Sequence, residues 1–489
     1  ASASPPLAAQ RPPLAAQRPP LASAKPATRA PARSTMGLTA RGDNGVKAQL
    51  KSRFPETVRE YGTLLEARNA TGASREQTIA ILDGNVIAAS IGQAGKTYEG
   101  FVNILTANIR QAAATASITI IAFDEPEVLT VAKVEEQRKR DAARGSREIP
   151  CSEDLALPKT DDYNKAQLEA IDDVSVLMGN RKTRMRFLDA ALVAVFERVG
   201  KVLDEYKKSG FHKGELVIDG IDRRGADRGY GEARDTRLFS TNEELVELFA
   251  RDCAIGEGDL KLAFHGRRIR RLSQADGPLG HLRLSLVTTI DTDSLAIESI
   301  EESRRASEVL SPVNSLLCMR ERAKKRGTDQ ETSGFYTCFD VAALHAELQR
   351  HIFASVTPTA MQQRAAMTLL SAGWAMAGSD FIVLQGLRPD VVLDTIGLVA
   401  RRTDLLEMMQ AAWTGDREAA VQLHEPLREL LRRCADATEL LPRVRKNTIP
   451  GIRDPGIDII KRATWLSAYW NSIEIRGDLS QFGFYFTRD

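Results

Sequence analysis

Thr78-Ile79-Ala80-Ile81-Leu82-Asp83-Gly84-Asn85 is the stretch on which the fold turns. Five residues of strand-forming chain, almost all apolar, end on an aspartate and then a glycine. A run this short and continuous reads as a strand buried on both faces, the habit of parallel sheets. The pattern recurs: residues 117–123 run into Asp124, 215–218 into Asp219 and 284–290 into Asp291. Longer segments of helical period lie between, such as 184–206, where Phe187, Leu188, Leu192, Val195, Val199 and Leu203 form one apolar stripe. Strands alternating with helices predict an α/β fold with a twisted, mainly parallel sheet flanked by helices. Ligands of such sheets bind outside the carboxyl ends of the strands. Aspartates far apart in sequence are therefore expected to converge there.

At roughly 150 residues per domain the chain amounts to about three domain-equivalents. Its 43% hydrophobic content over 489 residues supplies a large core, which excludes fibrous and wholly disordered classes. Sixty-seven Lys and Arg against 65 Asp and Glu leave a net charge of +2, so the overall balance declares no polyanionic partner. Five scattered cysteines (Cys151, Cys253, Cys318, Cys338, Cys434), odd in number and without a C-x-x-C pair, suit a reducing compartment rather than a disulfide or zinc framework. With no apolar run long enough to span a bilayer, the expectation is a soluble, intracellular protein without a membrane partner.

Residues 1–44 are expected to form a disordered basic tail. They hold no acid before Asp43, and Pro-Pro-Leu-Ala-Ala-Gln-Arg stands at 5–11 and again at 12–18. The composition also suits a transit peptide, but the prolines oppose the amphipathic helix such a peptide needs. Two polar, charged, aperiodic stretches, 144–165 and 300–333, read as insertions or mobile loops. From Pro389 to about Arg445 the pattern is almost wholly helical, which predicts a C-terminal helical lobe over 385–489.

Further acids sit in similar settings: Glu257 and Asp259 in Gly256-Glu257-Gly258-Asp259-Leu260-Lys261, Asp293 two residues after Asp291, and Asp380 in Gly378-Ser379-Asp380-Phe381. With Asp83 and Asp124 they make seven. So many carboxylates repel one another unless a cation lies among them. Hard divalent ions take oxygen ligands, and a pair of them can activate a water and stabilise the leaving oxygen of a phosphodiester. The alternative is that each strand-end aspartate merely caps the helix that follows; for all seven in this order that is the weaker reading.

In order along residues 45–400, these motifs resemble the flap endonuclease, XPG and 5′→3′ exoribonuclease superfamily, built on a PIN-like nuclease domain. Gly45-Val46-Lys47 and Arg53-Phe54-Pro55 are similar to the start of the exoribonucleases, and Leu82-Asp83-Gly84-Asn85, Phe123-Asp124, Glu257 with Asp259, Asp291 with Asp293, and Gly378-Ser379-Asp380-Phe381 match the acidic motifs. The resemblance implies a PIN-like nuclease domain over 45–384 and two Mg²⁺ or Mn²⁺ ions held by Asp83, Asp124, Glu257, Asp259, Asp291, Asp293 and Asp380. It also implies hydrolysis of nucleic acid from a 5′ end.

Beyond Asp124, Lys133, Gln137 and Arg140 fall at i, i+4 and i+7 of a helical segment, so one face presents two cations and an amide. Cations there can hold a phosphate; the alternative is a solvated charged face. In the superfamily a Lys and an Arg seven apart belong to a helical gateway over the active site, and the added Gln resembles the 5′-monophosphate pocket of the exoribonucleases; the second arginine of that pocket is Asp141 here. Gln385-Gly386-Leu387-Arg388-Pro389 resembles the turn with which flap endonucleases grip duplex DNA, with Arg388 where they have a second glycine. Gly386, Arg388 and Lys96 join the expected nucleic-acid contacts. RNA exonuclease and DNA flap nuclease both remain open.

Near the C-terminus Trp465, Tyr469 and Trp470 cluster; aromatics stack on bases, but packing is the stronger reading. His265, beside Gly266-Arg267-Arg268-Ile269-Arg270-Arg271, adjoins a basic run that either tracks a backbone or forms an exposed turn. Gly92-Gln93-Ala94-Gly95-Lys96-Thr97 ends like a P-loop, but the spacing requires glycine at 90 and finds Ser90. The rival of another class is a nuclease-fold protein kept for binding or architecture in a large assembly or virus particle, docked through the tail or the 300–333 stretch.

Overall fold

The computed structural model of the chain describes residues 45–89, 91, 95–125, 133, 173–174, 177, 181–208, 214–220, 238–250, 255–308, 313–324, 331–354, 356–379, 382, 387–401, 424–436 and 457–471. The expected tail (1–44) and the 144–165 stretch lie outside these residues, as do Asp380, Gln137, Arg140 and Gly386.

Among the described residues eight strands form one sheet: β1 (Val58–Tyr61), β2 (Thr78–Asp83), β3 (Ile118–Ala122), β4 (Glu215–Asp219), β5 (Leu238–Ser240), β6 (Leu284–Thr289), β7 (Asn314–Lys324) and β8 (Glu331–Asp340), in the order β1-β8-β7-β6-β2-β3-β4-β5. The inner five, β7-β6-β2-β3-β4, pair in parallel, and β1, β8 and β5 add antiparallel edges. Every residue of β2, β3 and β6 is buried, as expected of parallel strands covered on both faces. From β2 the chain moves one way to β3 and β4, then returns to β2's other side for β6 and β7. The order in which strands are added thus reverses between the parallel neighbours β2 and β6, where an open α/β sheet forms its ligand crevice.

Helices cover both faces. On one lie α2 (Leu64–Ala70), α3 (Gly84–Ala89), α4 (Tyr98–Thr115) and α5 (Arg181–Lys208), packed on Ala80 and Leu82 of β2. On the other side α1 (Val46–Arg53), α6 (Glu243–Phe249), α7 (Gly258–Leu272), α8 (Asp293–Glu308), α9 (Val341–Phe353), α10 (Ala360–Ala377), α11 (Pro389–Ala400), α12 (His424–Asp436) and α13 (Ile457–Trp470) share one hydrophobic core with Ile79 and Ile81. The strand period of two sends alternate residues to opposite cores. Local signals start the helices. Thr97 and Asp340 cap α4 and α9, and Thr359 with Gln362 forms a capping box on α10.

Two expectations change. The 300–333 stretch is no loop in its described part: it supplies the end of α8, all of β7 and the start of β8, with Val313, Leu317, Cys318 and Met319 buried. Its charges misled because many are inside. Glu301 and Glu302 are buried in ion pairs, Glu301 with Arg267 and Arg304, and Glu302 with Arg305 and, at 3.8 Å, Arg270. The helices after Pro389 are not set apart as a lobe either. Val392, Leu430, Ile460 and Trp465 belong to the same hydrophobic core as Ile79 and Leu317. Among the described residues no helix is long and apolar enough to cross a membrane.

Candidate metal centre

Four segments bring acids to the carboxyl edge of the sheet at the switch point. Asp83 ends β2; Asp124 stands two residues beyond β3; Glu257 precedes α7 and Asp259 lies in its first turn; Asp291 follows β6 and Asp293 opens α8. Asp83 and Asp291 are buried, whereas Asp124, Glu257, Asp259 and Asp293 are half-buried. The amino-terminal ends of α7 and α8 both meet the cluster, so their partial positive charge favours anions there. Ser294 of α8 donates to Asp259 Oδ1 of α7 at 3.3 Å and ties the two helix starts together.

Hydrogen bonds separate capping from other work. Asp83 Oδ1 accepts from the Asn85 and Val86 amides at 3.0 and 3.2 Å, so this aspartate does cap α3. Its second oxygen faces the Thr289 hydroxyl at 3.4 Å. Asp291 Oδ1 accepts from the Asp293 amide at 3.1 Å at the head of α8. Asp124 does something else: its Oδ1 accepts from the Gly258 amide at 2.8 Å, joining the end of β3 to the segment that carries Glu257 and Asp259.

The electrostatics describe one coupled group. Burial, then the charges of Asp124 and Asp291, push the Asp83 carboxyl up to about 8. Burial first, then Asp291, Asp83, Asp293 and Glu257, hold Asp259 well above the usual carboxylate range. Glu257 is raised too, chiefly by burial and against the pull of Lys133, whose Nζ lies 3.4 Å from Glu257 Oε1. Carboxylates so placed are desolvated and repelled by their neighbours, conditions that a divalent cation relieves. Among the described residues no three acidic, histidine or cysteine side chains already stand at ligating geometry. The donors are nonetheless all hard carboxylate oxygens, and the set therefore fits Mg²⁺ or Mn²⁺ in its chemistry.

Beneath the cluster lies a network that sequence reasoning passed over. Lys261 and Asp219 are fully buried. Lys261 Nζ donates to the Phe123 carbonyl at 2.7 Å and to Glu125 at 2.5 Å, and lies 3.2 Å from Asp219 Oδ1. The other Asp219 oxygen meets His265 Nε2 at 2.7 Å. Asp219, a strand-end acid like the others, thus serves an internal ion pair. His265 is wholly buried against Phe249 and Phe264 inside α7, so its surroundings are not an exposed turn. The adjoining run is largely turned inward as well: Arg267 pairs with Glu301, and Arg270 donates to Ser315 at 2.8 Å.

Tyr469 is the second residue whose place was missed. Trp465 and Trp470 are buried, as the packing reading expects. Tyr469 stacks on Trp465 with ring centroids 5.2 Å apart and planes at 10°. Burial, the charges of Glu257 and Asp124, and hydrogen bonding to Glu257 hold its phenol well above its usual value. The aromatic cluster was visible in sequence; that its tyrosine reaches the acids was not, because nothing local links residue 469 to residue 257. Of the expected nucleic-acid contacts, Lys133 stands at the cluster, Lys96 is exposed just before the Thr97 cap of α4, and Arg388 pairs with Asp390 at 2.9 Å at the start of α11. No protein-family model matches the chain, and no curated protein matches it.

Proposed function

We propose that the chain is a metal-dependent 5′→3′ nuclease with a PIN-like core. One observation carries the reading: six carboxylates from four separate segments meet at the switch point of a parallel sheet, at a buried and electrostatically unfavourable edge whose repulsion a divalent cation would relieve. Asp83, Asp124, Glu257, Asp259, Asp291 and Asp293 would hold two Mg²⁺ or Mn²⁺ ions, and the sequence adds Asp380 to that set. Such ions supply activation of a water and charge stabilisation on the phosphate being cleaved. The protein's own share is to hold the carboxylates together at one edge, where their raised pKa values make a cation the partner that favours their charged form. Lys133, now facing Glu257, is placed to steady a phosphate brought to the cluster, and Gln137 and Arg140 belong to the same helical pattern.

The test is incubation of the full chain and its Asp291→Asn variant with Mg²⁺ or Mn²⁺ and end-labelled 5′-phosphate RNA, 5′-hydroxyl RNA, single-stranded DNA and a 5′-flap duplex. Degradation by the wild type that is lost in the variant supports the reading, and the preferred substrate chooses between exoribonuclease and flap nuclease. A folded, metal-supplied protein that cleaves none of them favours the architectural role.

A further inference from the structure

The tripeptide Phe123-Asp124-Glu125 is fixed at five points. The Phe123 amide donates to Asp219 O at 2.8 Å, and the Glu125 amide to Gly256 O at 2.7 Å. The Gly258 amide holds the Asp124 carboxylate at 2.8 Å. The remaining two points are the Phe123 carbonyl and the Glu125 carboxylate, and a single atom, Lys261 Nζ, holds both, at 2.7 and 2.5 Å. Its third neighbour, Asp219 Oδ1, stands at 3.2 Å. An ammonium has three N–H donors, and here each has an oxygen. A side chain so satisfied, with no exposure to solvent, has one available arrangement.

The room for it is also specific. Gly220 adopts φ +104, and a Cβ there would lie 2.6 Å from Lys261 Nζ and 2.4 Å from the Phe123 carbonyl oxygen. Glycine is what lets β4, the end of β3 and the lysine meet. Lys261 itself sits one turn into α7, whose amino-terminal end carries Glu257 and Asp259. Lys261 thereby adds to the direct bonds of Asp124 with Gly258 and of Glu125 with Gly256 a further tie between the end of β3 and the helix start that carries Glu257 and Asp259.

We infer that Lys261 is a positioning residue for the acidic centre, holding Asp124 against Glu257 and Asp259 so that a divalent cation has less of the donor set to draw together. This rests on the metal reading above, and Lys261 touches neither cation nor substrate. Removing a group that orients metal ligands typically weakens metal affinity about 10- to 100-fold.

The experiment is calorimetric titration of the full chain with Mn²⁺, comparing wild type, Lys261→Met and Leu192→Ala. Leu192 is buried in the core on the opposite face of the sheet, so its truncation lowers stability without touching the centre. The expected result is Mn²⁺ binding weakened about 10- to 100-fold in Lys261→Met and unchanged in Leu192→Ala. Glu125→Gln, which keeps the lysine but removes the charge of one partner, is expected to weaken Mn²⁺ in the same direction and serves in place of Lys261→Met if that variant does not fold. Wild-type affinity in Lys261→Met, or in Glu125→Gln where that stands in for it, overturns the inference and leaves the metal reading standing, as does equal weakening in Leu192→Ala. Absence of Mn²⁺ binding by the wild type overturns the metal reading itself.

Discussion

Replacing Asp83 by Asn in the metal-free protein should stabilise it, increasingly so as the pH rises. Asn keeps the Oδ1 that accepts from the Asn85 and Val86 amides, so the cap on α3 survives, and only the charge is lost. A carboxyl whose pKa is higher in the fold than in the unfolded chain binds more protons when folded, so stability falls as pH rises between the two values. For Asp83 that window runs from the ordinary 3.8 to about 8. At about 1.4 kcal/mol per tenfold, complete ionisation of Asp83 would cost the fold roughly 6 kcal/mol at most. Relaxation around a buried charge lowers that ceiling, so we expect Asp83→Asn to gain about 2–4 kcal/mol at pH 8 and nearly nothing at pH 4. Urea unfolding in EDTA at pH 4, 6 and 8 measures this. Excess Mg²⁺ should then raise the wild type and not the variant, since a ligand of the native state stabilises it by mass action. A variant no more stable than wild type at pH 8, or a difference that ignores pH, would refute the reasoning.

Three further outcomes follow from the same geometry. Gly220→Ala should lower stability by about 2–3 kcal/mol, since φ +104 and the nearby Phe123 carbonyl both oppose a Cβ; urea midpoints unchanged within error would contradict it. Arg267→Ala leaves buried Glu301 short of a partner and should destabilise by about 3–5 kcal/mol, a loss that a salt-insensitive unfolding curve close to wild type would disprove. Cys318, Cys338 and Cys434 are buried, so iodoacetamide followed by peptide mapping should find these three unlabelled in the native protein over a time that fully labels them in urea.

The sequence announced the inner sheet because parallel strands are buried on both faces and so read as unbroken apolar runs. β2, β3, β4 and β6 were each visible in this way, with their terminal aspartates. The edge strands β1 and β5 are four and three residues long, too short to carry a period. β7 and the first residues of β8 read as loop because Arg320, Glu321 and their neighbours lend the stretch the look of a solvated surface. The same limit governs the site. Six of the seven expected acids fall within the described residues and at one edge of the sheet, since a carboxylate at a strand end is a local feature. A lysine four residues after a glutamate looks like any charged helix position, and only the arrival of Phe123, Glu125 and Asp219 from other elements makes Lys261 an interior residue. Asp219 shows the converse: similar in sequence context to Asp83, at a strand end before a glycine, it is claimed by Lys261 and His265.

The most direct test of the metal centre is anomalous scattering from crystals of the full chain grown with Mn²⁺. The account predicts manganese peaks within ligating distance of Asp83, Asp124, Glu257, Asp259, Asp291 and Asp293. Crystals saturated with Mn²⁺ whose anomalous map is empty at this edge of the sheet would contradict it.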